Sequence, residues 1–369
     1  SIISDMYLPA WVIGKMLEKA GYTGYQKLYV SSEYGVRKKE GGLFDVVLAE
    51  LDLSPEKIIH IGDNAAADIA MPKARGMLSF RLLRALDRMR GNPYYKEIFH
   101  PRRGAGEKPR SIIAGLIAAK LFDMPAGAGA EETMFMGSPY NLGYAAIGPM
   151  LVGYMQWLTR QAQKEGLGRL YFLSREGWVL KQVYDALNKD NPQAVPSHYL
   201  YSSRRAVRVA SIRNQNDILN VASQPYSDGV TVGQLLSYRF GLSAEHIDPA
   251  ILSRFGYQHC DEKLGITSAD KVRFSRLCQG LHAGILAQAT RERSAYLRYL
   301  TEAGLMDEQK AGIVDIGWKA NMQGSLGALL GKPLHGYYYA TLQGAESWLA
   351  KGQHLSAYAG DFVTLENRS

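Results

Sequence analysis

With 369 residues, the chain is long enough for two or three domains of roughly 100–200 residues each, and a hydrophobic content of 46% suits large globular cores. Its only two cysteines, Cys260 and Cys278, exclude a disulfide framework and fit a reducing, cytoplasmic location. The net charge of +8 is modest for this length and is compatible with an anionic ligand.

Residues 1–84 alternate between short apolar runs and segments with helical periodicity. Strands are predicted at SIIS, KLYVSS, KIIHIG and LSFRLL, and helices at PAWVIGKMLEKAGY, GGLFDVVLAELDL and ADIAMPKARGM. This alternation predicts a parallel sheet with helices on its faces. Residues 85–112 are rich in Arg, Lys, Gly and Pro, which is typical of a basic linker.

Residues 113–369 are predicted to form a second α/β domain. The uncharged stretch 142–158 has 17 residues with three glycines and a proline, whereas a membrane span needs about 20 predominantly apolar residues, so we predict a buried helix and no membrane span. Four strands are predicted here, at 169–174, 197–203, 311–317 and 334–342, with a helical insert at about 213–308. The predicted fold class is therefore α/β, with two Rossmann-like units.

Two acidic residues, Asp63 and Asp68, follow the predicted strand IIHIG. Ligands of parallel α/β sheets bind at the carboxyl ends of strands, and Mg²⁺ is held there by one or two carboxylates together with phosphate oxygens. We interpret the pair as metal ligands. The alternative is that one or both cap the following helix, since Asp is favoured at that position.

A hydroxyl and an ammonium group follow two other predicted strands. Ser4 ends the first strand, and Lys38 precedes the helix after KLYVSS, with Lys39 as the alternative lysine. The hydroxyl can donate to a phosphate oxygen, the lysine can neutralise charge, and a metal can bridge phosphate and protein.

The segments SDMYLP, KKEGGLF and GDNAAADIAMPKARG resemble the second, third and fourth motifs of the haloacid dehalogenase-like (HAD) phosphohydrolases. The resemblance covers about residues 1–84 and implies a HAD-type core. It implies that Ser4 binds phosphate, that Lys38 stabilises charge six residues before Phe44, that Asp63 and Asp68 hold Mg²⁺, and that Asn64 hydrogen-bonds nearby.

In this family a strand ending in D-x-D precedes the second motif, and its aspartates act as nucleophile and as general acid and base. No D-x-D precedes Ser4 in this sequence. We therefore expect an N-terminally truncated core that lacks its first strand and is a poor catalyst by itself.

Three strand–loop–helix segments of the second half carry charged residues in their loops. If the strands are parallel neighbours, these loops meet at one edge, where arginine forks and helix N-termini suit an anion or a sugar nucleotide. The alternative is that the charges pair with one another. The residues proposed to bind substrate are Arg175, Arg204, Arg205, Asp315 and Lys319.

The segment order is similar to that of HAD-type proteins encoded with bacterial surface-polysaccharide glycosyltransferases, which carry FLxRDG-like and DxGWxGxxQ-like segments. Here Glu176 and Ala320 replace an Asp and a Gly of those patterns. The resemblance implies an Mg²⁺-dependent phosphohydrolase of a small phosphorylated metabolite, such as a sugar phosphate. The alternative is a non-catalytic scaffold or ligand-binding module, tethered to a fused or associated glycosyltransferase. We expect no nucleic-acid partner, because the basic RRG segment lacks interleaved aromatics.

Overall fold

The computed structural model describes residues 1–95, 107–123 and 134–363, and it is a mixed α/β protein with parallel sheets. The chain forms two compact units, Ser1–Ile147 and Gly148–Ser369. The first unit contains two parallel sheets and the second contains one, and each unit has hydrophobic cores of its own.

The first unit contains the four strands predicted from the sequence, and helices connect them. The strands are β1 (Ile2–Ser4), β2 (Leu28–Val30), β3 (Ile59–Gly62) and β4 (Leu78–Arg81). The α-helices are α1 (Ala10–Lys19), α2 (Ser31–Tyr34), α3 (Gly42–Leu51), α4 (Met71–Lys73), α5 (Ala85–Gly91), α6 (Glu107–Leu121) and α7 (Pro139–Leu142). A π-helical segment, Ala65–Ala70, leads into α4, and Gly76 with φ of +77° ends this turn as the sequence predicted.

These four strands form two parallel pairs, β1–β2 and β3–β4, rather than the one sheet that was predicted. One face of the β3–β4 pair is apolar and open, with Ile59, Ile61, Leu78 and Phe80 each more than half exposed. These four side chains share a face because Ile59 aligns with Leu78 and Ile61 with Phe80 in the parallel register.

The segment predicted as a linker, 85–112, is partly helical. Helix α5 packs on α6 through a core that includes Met89, Ile117 and Phe122. The boundary between the compact units therefore lies after Ile147 rather than at residue 113. The rest of the predicted linker, residues 96–106, lies outside the described residues.

The second unit is built on a five-stranded, fully parallel sheet in the order β6-β5-β7-β8-β9. The chain leaves β5 for β6 on one side and returns to β7 on the other, so the direction of winding switches between β5 and β7. Crevices at such switch points are the usual ligand sites of open parallel sheets. The strands are β5 (Arg169–Leu173), β6 (Ser197–Leu200), β7 (Ala311–Asp315), β8 (His335–Tyr338) and β9 (His354–Ala357).

Helices cover both faces of this sheet, which explains why the β5 sequence RLYFL is buried almost throughout. Leu170 and Phe172 pack with α8 and α9, and Tyr171 and Leu173 pack with α10, α15 and α16. The helices are α8 (Gly148–Glu165), α9 (Gly177–Asn188), α10 (Arg204–Ser211), α11 (Gln215–Ala222), α12 (Val232–Phe240), α13 (Pro249–Arg254), α14 (Ser268–Gly280), α15 (His282–Glu302) and α16 (Asn321–Leu330).

The predicted helical insert, 213–308, contains α11 to α15, which share a core of their own. The predicted buried helix at 142–158 corresponds to a π-helical segment, Gly143–Ile147, followed by α8. In the described parts of the chain, no helix has both the length and the apolar character needed to cross a membrane.

One buried amide joins α16 to the sheet. Gln323 is fully buried, and its Nε2 donates to the carbonyl oxygens of Leu334 at 2.7 Å and His354 at 2.9 Å. Its Oε1 accepts a hydrogen bond from the Tyr338 hydroxyl at 2.9 Å. A Cβ at Gly336 would lie 1.8 Å from this Oε1, so the amide fits only beside a glycine. Gln323 is therefore a structural bridge to β8 and β9.

We predict that Gln323→Leu destabilises the second unit by about 3 kcal/mol. Three hydrogen bonds are lost, and the carbonyls of Leu334 and His354 and the Tyr338 hydroxyl lose the partner that Gln323 provides. Urea denaturation followed by circular dichroism measures the change. Gln343→Leu, at an exposed glutamine of the same unit, is the control and should stay within about 0.5 kcal/mol. Equal midpoints for Gln323→Leu and the parent protein would contradict the structural role.

Candidate functional site

The first candidate site is centred on Asp68, whose carboxylate is almost completely buried. Its Oδ1 accepts from Lys38 Nζ at 2.7 Å and lies 3.0 Å from His60 Nε2, and its Oδ2 accepts from the Asn64 backbone amide at 3.0 Å. A Cβ at Gly62 would come within 2.4 Å of the Asp68 Cγ, so the glycine at the end of β3 makes room for the carboxylate. Asp68 thus joins the loop before α3 to β3 and to the turn that follows it.

Lys38 is the lysine that reaches this site, whereas Lys39 is exposed. The backbone amide of Lys38 donates to Asp5 Oδ1 at 2.8 Å, which connects the lysine's loop to the residue that follows Ser4 and β1. An ammonium group has three donors, and Asp68 occupies one of them. Lys38 is therefore oriented by Asp68 and retains donors for a second anion.

The pKa values in this cluster reflect burial opposed by charge pairing. Burial works to raise the pKa of Asp68, but hydrogen bonds from Lys38, His60 and the Asn64 amide outweigh it, so the pKa of Asp68 lies below its usual value. Burial, with a smaller contribution from the Lys38 charge, lowers the pKa of His60 despite the opposing effect of Asp68. At neutral pH Asp68 is therefore a carboxylate and His60 a neutral imidazole.

Asp63 does not join this cluster. Its side chain is about 44% exposed and lies 3.2 Å from Arg84 Nε. Both oxygens of Asp68 already accept hydrogen bonds from other residues, and the joint binding of Mg²⁺ by Asp63 and Asp68 stays a prediction. Among residues 1–95, 107–123 and 134–363, no group of three or more His, Cys, Asp or Glu side chains is arranged to hold a metal.

The helix cap that was considered for the aspartates belongs to Asn64. Its Oδ1 accepts from the backbone amides of Ala66 and Ala67, both at 3.0 Å. The Asn64 side chain is thus engaged with the backbone, and its hydrogen bond near the phosphate site, as a substrate-binding residue, stays a prediction. Sequence reasoning also missed Asp5 and His60; only the position of His60 on the strand that leads to Gly62 could have signalled its role.

The second unit contains a cavity of about 920 Å³ at the carboxyl end of β7. Three of the five predicted substrate-binding residues line it: Arg204, Asp315 and Lys319. The other two do not. Arg205 forms an ion pair with Glu292 at 2.8 Å, and the Arg175 side chain is about 91% exposed and contacts Glu176. The alternative of mutual charge pairing therefore holds for Arg205 and Arg175.

Asp315 lies half-buried at the end of β7, where its Oδ1 accepts from the Ile316 backbone amide at 2.7 Å. Burial raises the pKa of Asp315, and the nearby Glu176 carboxylate acts in the same direction, while backbone hydrogen bonds and Arg204 act against it. A carboxyl group with these neighbours can accept hydrogen bonds from a ligand in the cavity.

Comparison with protein-family models and with curated protein sequences gives no match for this chain.

We predict that the stability of the first unit falls as the pH decreases from 7 to 5, and that part of this slope disappears in His60→Gln. His60 has a lowered pKa in the folded state, so below its usual value of 6.5 the unfolded chain binds a proton that the folded protein does not. Urea denaturation at pH 5, 6 and 7 measures the slope. Identical slopes for His60→Gln and the parent protein would contradict the buried neutral imidazole.

Proposed function

We propose that the first unit binds Mg²⁺ and a small phosphorylated molecule, such as a sugar phosphate, in the manner of a HAD-type phosphohydrolase. The observation that carries this proposal is the contact of 2.7 Å between Lys38 Nζ and Asp68 Oδ1. It joins the segments that resemble the third and fourth motifs, which are 30 residues apart in the sequence. Asp5 follows Ser4 in the segment that resembles the second motif, and its Oδ1 accepts a hydrogen bond from the Lys38 backbone amide.

Each residue has a role that its environment supports. Lys38 carries the positive charge that a phosphate needs, and Asp68 positions the ammonium group. Ser4 ends β1 and precedes Asp5, which contacts the Lys38 backbone, and its proposed role is to offer a hydroxyl to a phosphate oxygen. Asp68 is a positioning residue, because its own oxygens are engaged by the protein.

The carboxylates available here fit Mg²⁺ only if water and the phosphate supply most of its ligands. Mg²⁺ commonly keeps several waters and takes one or two carboxylates with substrate phosphate oxygens. Asp63 offers a half-exposed carboxylate at the end of β3, and Asp5 offers a second, exposed one. When bound, the ion would neutralise phosphate charge.

The described residues support the binding part of this proposal. In the family that residues 1–84 resemble, the attacking carboxylate belongs to a D-x-D strand ahead of the second motif. Phosphate transfer would need a carboxylate supplied in that position.

A second candidate function is a non-catalytic scaffold or ligand-binding module that works with a glycosyltransferase. The observation that favours it is the contact between Asp63 and Arg84, since a carboxylate that already faces a guanidinium group has less charge to offer a cation. The pair is exposed and therefore weak, so a cation and phosphate together could displace the arginine.

The expected result is that orthophosphate binds to the protein only when Mg²⁺ is present, as measured by isothermal titration calorimetry. Lys38→Met should weaken phosphate binding at least tenfold, because it removes the charge at the site. Asp63→Asn should weaken Mg²⁺ binding by a similar factor. Lys39→Met is the matched control, since it removes the same charge from the exposed neighbour, and it should stay within twofold.

Failure of Mg²⁺ and phosphate to bind would support the scaffold function instead. Equal losses for Lys38→Met and Lys39→Met would show that net charge, and not the site, attracts phosphate. Circular dichroism should accompany each variant, because removing Lys38 leaves the buried Asp68 carboxylate without its main partner.

A further inference from the structure

We propose that the cavity of the second unit binds a nucleoside diphosphate, free or as the activated form of a sugar. This inference does not depend on the function proposed for the first unit, because every residue used below belongs to Gly148–Ser369. The cavity combines positive charges, an exposed indole and amide side chains in about 920 Å³, within the size range of small-molecule sites.

The cavity lies where the topology of the sheet favours a ligand. Asp315 is the last residue of β7, and the winding of the sheet reverses between β5 and β7. One wall is formed by α10 and α11, and another by the loop from Asp315 to α16. The site therefore uses the crevice that a parallel sheet leaves open at its carboxyl edge.

Three cations face this cavity. Arg204 and Arg208 are one turn apart on α10, about 6 Å along the helix axis, and Lys319 comes from the loop after β7. The Arg208 Nη1 is buried and has no hydrogen-bond partner among the described residues. A buried guanidinium nitrogen without an acceptor is unfavourable, and a phosphate oxygen would satisfy it. Two neighbouring arginine forks and a lysine suit a diphosphate better than a single phosphate.

The acids of the cavity are held by the protein backbone. Asp217 Oδ2 accepts from the amides of Arg213 and Asn214, and Asp315 Oδ1 accepts from Ile316. The Arg204 charge acts to lower the pKa of Asp315, so this acid offsets part of the positive charge of the cavity. The lining nevertheless carries three cations against two acids, which leaves it net positive.

The remaining lining suits a base or a sugar. Trp318 is about 49% exposed. Its backbone carbonyl accepts a hydrogen bond from the Leu342 amide, which leaves the indole ring available to stack on a ligand. Asn220 and Gln224 line the same cavity and offer amide groups to a polar edge. Ala320, also in the lining, has φ of +55°, a conformation that residues other than glycine adopt rarely and mainly at functional sites.

Isothermal titration calorimetry of the full chain with UDP, GDP, ADP and orthophosphate tests the proposal. We expect at least one nucleoside diphosphate to bind with a stoichiometry of one, and at least tenfold more tightly than orthophosphate. Arg204→Ala should weaken this binding at least tenfold. Arg208→Lys keeps the charge but loses the fork, so it should also weaken binding. Trp318→Ala should weaken binding, and Trp318→Phe should restore most of it.

Arg298→Ala is the control, because Arg298 is an exposed arginine on α15 that does not line the cavity, and its effect should stay within twofold. The proposal is overturned if no nucleoside diphosphate binds, if orthophosphate binds as tightly, or if Arg298→Ala weakens binding as much as Arg204→Ala. Because these variants all lie in the second unit, either result leaves the Mg²⁺ and phosphate test of the first unit unaffected.

Discussion

Parallel strand pairing is the constraint from which both candidate sites follow. Within the described sheets, every pair of strands is parallel, so each strand is reached by a crossover and the carboxyl ends gather at one edge. In the first unit this edge of the β1–β2 pair carries Ser4, and this edge of the β3–β4 pair leads into the turn after Gly62. In the second unit it receives Asp315, beside the reversal of winding. The candidate sites of the two units differ in chemistry, but both lie at the carboxyl ends of parallel strands.

The buried carboxylate of Asp68 shows how the first unit converts that placement into a defined geometry. Burying a charge is unfavourable, and a buried ion pair often adds little net stability, so the pair with Lys38 is better understood as fixing position. Loss of one partner would leave the other charge uncompensated. Arg75 makes a comparable link from the end of α4 to Asp45 on α3, at 2.6 Å, but at a more exposed place. Together they hold α3 against the turn that follows β3.

Local patterns in the sequence were sufficient for β1 to β8 and for the residues at their ends, because periodicity and glycines are local signals. The edge strand β9 (His354–Ala357) was not predicted. Partners that meet only through the tertiary fold could not be derived in this way. Asp68 was expected beside a metal, yet it meets a lysine 30 residues away. Arg204 and Arg205 are adjacent in sequence, but successive helical residues point about 100° apart, so only one of them lines the cavity. The sequence does not say which.

The segment resembling DxGWxGxxQ shows that one motif can combine ligand-facing and structural positions. Asp315 and Trp318 line the cavity, whereas Gln323 turns inward and bonds to the backbone of the sheet. The position filled by Ala320 has a left-handed backbone, which explains physically why a glycine suits the pattern there. If every position of the motif had the same role, all of these residues would be expected to contact the ligand. Their surroundings instead separate the residues that can contact a ligand from those that hold the loop in place.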